Sequence, residues 1–128
     1  MFAIMRSLNF VDSVLFPDVS LDISRVNAFA QAQPFFQHHF TSLGSHQELE
    51  YLAIMPEAQG QGHGMTLVKR GLEDAQSTRS PTIVICSAGS EGFYEKCGFE
   101  EEVGNVTAGQ GNPLADVAGG AILVWRPT

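Results

Sequence analysis

Residues Glu48–Gln76, ELEYLAIMPEAQGQGHGMTLVKRGLEDAQ, decide how the chain is read. An apolar run, Leu49–Met55, leads through Pro56 into a glycine-rich turn, Gln59-Gly60-Gln61-Gly62-His63-Gly64. The run is continuous, which predicts a central strand buried on both faces. Pro56 ends it, because proline has no N–H for the ladder. Beyond the turn, Met65, Val68, Leu72 and Ala75 recur at helical spacing. A helix therefore opens at Gly62 or Gly64 and runs to about Gln76, with Lys69, Arg70, Glu73 and Asp74 toward water. A glycine turn at a helix start presents bare backbone N–H groups at the positive end of the helix dipole. Such a turn binds an anion without a charged side chain, and a nucleotide pyrophosphate suits it.

The spacing matches neither common nucleotide fingerprint. A dinucleotide turn starting at Gly60 would need glycine where Met65 stands, and an acidic residue after the next strand, where Cys86-Ser87 stand. A P-loop would need Gly-Lys-Ser/Thr. On spacing alone the turn serves equally as a tight strand–helix connection.

Upstream, Phe2, Ile4, Leu8, Phe10, Val14 and Leu15 form a short strand or an irregular apolar arm. Phe16-Pro17-Asp18 is a turn signal. Ser20 or Asp22 caps a helix to about Ala32, with Ile23, Val26, Phe29 and Ala30 on one face. Pro34 breaks or restarts it, and a second short helix ends at Gly44. His38, His39 and His46 read as solvated side chains. Downstream, Thr82–Cys86 is a second buried strand rich in β-branched residues. Ser87–Ser90 is a turn, and Ser90 caps a short helix to Lys96 that Gly98 terminates. A short strand, Phe99–Val103, carries Glu100, Glu101 and Glu102 as surface charge. The stretch Gly104–Gly120 is a long loop, for binding or disorder. Ala121–Trp125 is the last strand. The expected architecture is α/β (α+β), a mixed sheet flanked by helices in one domain, with a helical segment at residues 1–47 ahead of the rest.

Of 128 residues, 44% are hydrophobic and 16% charged, enough apolar material for a core. The net charge of −7 argues against nucleic-acid and anionic-membrane partners and mildly favours a cationic one, such as an amine. Cys86 and Cys97 form no CxxC pair and no zinc-site spacing, so no metal is expected. Cys86 reads as a core thiol in a reducing compartment. No run is long enough to span a bilayer and the start lacks a signal-peptide pattern, so the expected location is cytoplasmic.

Two segments then resemble one family. Gln59-x-x-Gly62-x-Gly64, after a strand ending Leu52-Ala53-Ile54-Met55-Pro56-Glu57, resembles the acyl-CoA signature of the GNAT N-acyltransferases. Phe93-Tyr94-Glu95-Lys96-Cys97-Gly98-Phe99 resembles the segment that carries that family's tyrosine, and Ser87 stands where the family has a small polar cofactor contact. The resemblance covers about residues 48–126, the acetyl-CoA-binding half. The last strand, and more loosely residues 17–43, are similar to fungal members.

What the resemblance implies is transfer of an acetyl group from acetyl-CoA to an amine of a small molecule or peptide, by direct attack. Leu52, Ala53 and Ile54 would pair with pantetheine, and a backbone N–H near Ile54 would meet the developing oxyanion. Amides of Gly60, Gln61, Gly62, His63, Gly64 and Met65 would hold the pyrophosphate, with Ser87 as a further cofactor contact. Tyr94 would be the general acid and Glu50 the base, with Glu48 second. The family has three strands before Leu52, whereas only 47 residues precede Glu48 here. The early strands are therefore expected to be missing, which bares the edge of the Leu49–Met55 strand. An N-terminal arm, a second copy (a homodimer) or a partner chain would cover it. The alternatives to an enzyme are a degenerate CoA-binding or partner-binding module and a fragment whose glycines only pack.

Overall fold

The computed structural model describes residues 2–8, 23–53, 57 and 59–128, with 2–8, 23–26, Tyr51 and Ala53 described by backbone alone. The elements run β1 (Phe2–Leu8), α1 (Ile23–Thr41), β2 (His46–Ala53), α2 (His63–Ser77), β3 (Thr82–Ile85), α3 (Glu91–Cys97), β4 (Glu101–Asn105) and β5 (Ala121–Trp125). The strands form one sheet in the order β1-β2-β3-β5-β4. The β2–β3 pair is parallel and the others antiparallel, so the expected mixed α/β sheet is present. The Phe16-Pro17-Asp18 turn, the Ser20 or Asp22 cap and the strand end at Met55-Pro56 lie outside the described residues.

Period-two alternation divides the core into two layers. Leu49, Val84 and Leu123 turn toward Val68 and Leu72 of α2 and toward Cys97 and Phe99 at the end of α3. Ile83, Ile122 and Val124 turn the other way, toward Ala32, Phe36 and Phe40 of α1. Glu48 pairs in register with Ile83 and Leu49 with Val84, so Glu48 belongs to the α1 face and Leu49 to the α2–α3 face.

Three expectations are corrected and a fourth, left open among alternatives, is resolved. Pro34 lies inside α1 without ending it. The carbonyl it leaves without an N–H partner belongs to Ala30, and both residues are exposed, so water meets that carbonyl. The missing bond costs about 3 kcal/mol. Burial of Phe36 and Phe40 on the inner face returns about 1.5–3 kcal/mol each. Second, of the three covers expected for the β2 edge the N-terminal arm is the one present: β1 pairs with β2 over Phe2–Leu8, in place of a homodimer or a partner chain. Third, the strand expected at Phe99–Val103 forms later, as β4. Gly98 (φ +115°) ends α3 and Phe99 N–H donates back to the Tyr94 carbonyl (3.1 Å), which seats Phe99 in the core instead of the sheet. Fourth, residues 106–120 are a packed loop. Buried Asn112 donates to the carbonyls of Val106 and Ala108 (both 2.8 Å) and accepts from Leu114 N–H, and Val106 and Leu114 join the α1-side core.

Candidate functional site

The glycine turn leads into α2 at Gly62 (φ +80°), which occupies the N-cap position and brings no side-chain cap. Four N–H groups at a helix start have no intrahelical acceptor. Here the first turn carries no acidic residue to meet them. Gly60 and Gly62 both adopt positive φ, and a Cβ on either would point into open space. They shape the turn and leave its backbone accessible. Gly64 differs: a Cβ there would stand 3.3 Å from the Phe93 ring and 3.7 Å from Leu52. The tight-packing reading therefore holds for Gly64 and not for Gly60 or Gly62.

Because α3 comes this close to the first turn of α2, a groove of about 1050 Å³ opens between them. Its lining joins Leu52 of β2, Gly60, Gly62, His63, Gly64 and Met65 of the turn, and Ser87 and Tyr94. Eight residues named from sequence thus meet in one place. Gln61 is exposed beside the groove, its amide near the Glu57 carbonyl (3.4 Å) and its oxygen near His63 Nε2 (3.3 Å). Ile54 lies outside the described residues, and Ala53 is described by backbone alone. Gln59, Ser90, Phe93 and Lys96 also line the groove and were not named as site residues. The signal for three of them was available: Ser90, Phe93 and Lys96 recur at three-residue spacing on one face of α3.

The Ser87–Ser90 turn is braced from behind. Ser90 takes the N-cap position of α3, but its hydroxyl donates backward to the Ser87 carbonyl (2.8 Å) instead of capping the helix. Gly120 N–H donates to the Cys86 carbonyl and Cys86 N–H to Ala121 (both 2.8 Å). A Cβ on Gly119 would meet Ala88 N at 2.5 Å. The long loop is thus structural support for the turn that carries Ser87.

Tyr94 is half-buried between Phe93 and Phe99, ring centroids 5.0 and 5.8 Å away in edge-to-face geometry. Burial, and then the Cys86 and Cys97 thiols, push its phenol above the usual range, so it holds its proton at neutral pH. Cys86 is buried as expected, and burial raises its thiol to about 11, which leaves it an inert core residue.

The two glutamates of β2 part company. Between Ile4 and Met5 of β1 the partner on β2 steps from Tyr51 to Leu49, so Glu50 is the extra residue of a bulge. The bulge reverses the alternation: Leu49 and Leu52, three apart, pack on the same core layer. Glu50 is half-buried and not among the groove-lining residues. Glu48, 5% exposed, bonds His46 Nε2 at 3.0 Å on the α1 face. His46, expected in solvent, is 1% exposed, and its Nδ1–H donates to the Gly44 carbonyl (2.7 Å). Glu48 is therefore committed to a buried pair. Among the described residues no group of three or more His, Cys, Asp or Glu forms a metal site, and no helix is long and apolar enough to cross a membrane.

No curated protein matches the chain. The model of the acetyltransferase (GNAT) domain matches residues 19–101, a span that holds α1 through α3, the glycine turn and the Phe93–Phe99 segment. With a match over more than half its length, and with both segments meeting in one groove, the chain belongs to the GNAT acetyltransferase family.

Proposed function

We propose that the protein is an N-acetyltransferase that binds acetyl-CoA in the α2–α3 groove and passes its acetyl group directly to an amine of a small molecule or peptide. The observation that carries this reading is the meeting of the uncapped first turn of α2 with Tyr94 across one groove. The groove fits the co-substrate: the helix start at Gly62–Met65, with no side-chain cap, suits the pyrophosphate, and Leu52 offers an apolar wall to pantetheine. Bound acetyl-CoA supplies an activated thioester.

The chain's own residues supply the rest. The amides of Gly60 through Met65 orient the nucleotide end. Backbone groups of Leu52 and Ala53 at the end of β2, followed in the chain by Ile54, align the pantetheine arm, and an N–H near Ile54 in the sequence stabilises negative charge on the carbonyl oxygen. Tyr94, held protonated by its burial, gives its proton to the departing thiolate. Glu50, on the bulge of β2, takes a proton from the amine directly or through water. The acidic balance of the chain favours a cationic acceptor.

The test is free-thiol release from acetyl-CoA across a panel of amines. At least one amine should stimulate release by the wild-type protein. Tyr94→Phe should slow that release by about 100-fold or more while acetyl-CoA affinity changes less than about threefold. Loss of binding in the variant would contradict the acid role. Saturable acetyl-CoA binding with no release for any amine would favour the alternative, a CoA-binding module without turnover.

A further inference from the structure

We propose that Lys96 reads the 3′-phosphate of coenzyme A and so sets the protein's preference for acetyl-CoA over its 3′-dephospho form. This rests on the acyl-CoA reading of the groove.

The first observation is one of charge. The chain carries 14 acidic and 7 basic residues. Among the described residues, the 12 that line the groove nevertheless include no carboxylate and one lysine, Lys96. A described lining with an ammonium and no carboxylate, on a molecule of net charge −7, concentrates positive potential for an anion. The amides at the start of α2 already account for one anionic centre. Coenzyme A carries two that are separate: the pyrophosphate bridge and the monophosphate on the ribose.

The second observation is position. Lys96 stands three residues after Phe93 on α3, so the two share a helical face. Phe93 is the side chain against Gly64, in the first turn of α2. Lys96 therefore stands about one helical turn from the side chain that faces the pyrophosphate amides, on the same groove, within reach of a phosphate on the nucleotide held there. Its exposed, flexible stem presents a point charge, which suits a phosphate monoester free to approach from several angles.

Lys96 also sits in the last turn of α3, where a cation complements the helix C-terminus. That role is blind to the 3′-phosphate: losing it would weaken acetyl-CoA and dephospho-acetyl-CoA equally. The difference between the two ligands isolates recognition.

The experiment is calorimetric titration of acetyl-CoA and 3′-dephospho-acetyl-CoA into the full chain, as wild type, Lys96→Gln and Lys96→Arg. The wild type should bind acetyl-CoA about tenfold tighter, the size of one charge-assisted contact. Lys96→Gln should reduce that gap to about twofold or less through acetyl-CoA alone, and Lys96→Arg should keep most of it. Raising the salt should narrow the wild-type gap, since the contact is exposed. A gap unchanged in Lys96→Gln, or no gap in the wild type, overturns the assignment while leaving the acyl-CoA reading intact. Binding of neither ligand by the wild type overturns both.

Discussion

A buried imidazole needs an acceptor for each N–H it carries. His46 finds the Gly44 carbonyl on one side and the Glu48 carboxylate on the other. The carbonyl can only accept, so Nδ1 is the donor on that side, and Nε2 faces the Glu48 carboxylate at 3.0 Å. Glu48→Ala should leave that ring nitrogen unpaired in the core and destabilise the fold by about 3 kcal/mol, read from the urea midpoint. Glu50→Ala, at a half-buried bulge position, should cost much less stability and mainly slow turnover. The solvated reading of His46 missed this because it followed residue type, whereas strand parity set the outcome. His46 and Glu48 fall on the same face as Ile83 and Phe40 once β2 begins two residues before Glu48. Tyr94 was legible for the opposite reason: its segment is local, and a short helix ended by Gly98 fixes its ring without distant information.

At the scale of elements, the working piece is the first turn of α2. Gly62 does two things there, adopting φ +80° and keeping the adjacent amides uncovered. Gly62→Val should therefore lose roughly 1–2 kcal/mol of stability from backbone strain. It should also lose about tenfold or more in acetyl-CoA affinity, from side-chain bulk over the amides. Gly44→Val is the control, since Gly44 has φ +67° and open space around it, away from the groove. It should pay a similar strain in thermal stability and keep its affinity in the same titration. The helix, its buried face and its start were legible from 3.6-residue spacing and the glycines. The bulge at Glu50 was not, because it is imposed by pairing with β1, more than forty residues away in sequence. The continuity of α1 through Pro34 was also hidden, since it depends on which face meets water.

At the scale of the molecule, one sheet separates two packed layers and the groove opens on only one of them. The chain closes its own β2 edge with β1 and spends residues 106–120 bracing the Ser87–Ser90 turn. Sheet class and strand identity followed from the apolar runs. The roles of β1 and the long loop did not, because both are decided by contacts distant in sequence, with Asn112 and Gly119 the residues that matter in the loop. The claim on which all of this converges is that the α2–α3 groove of the native protein is an acyl-CoA site. A ligand that binds only the folded chain must stabilise it, by about 2.7 kcal/mol at one hundred times its dissociation constant. The direct measurement is the melting temperature of the full chain with increasing acetyl-CoA. The predicted result is an upward shift that keeps growing with the logarithm of concentration. An unchanged melting temperature at millimolar acetyl-CoA would contradict the claim.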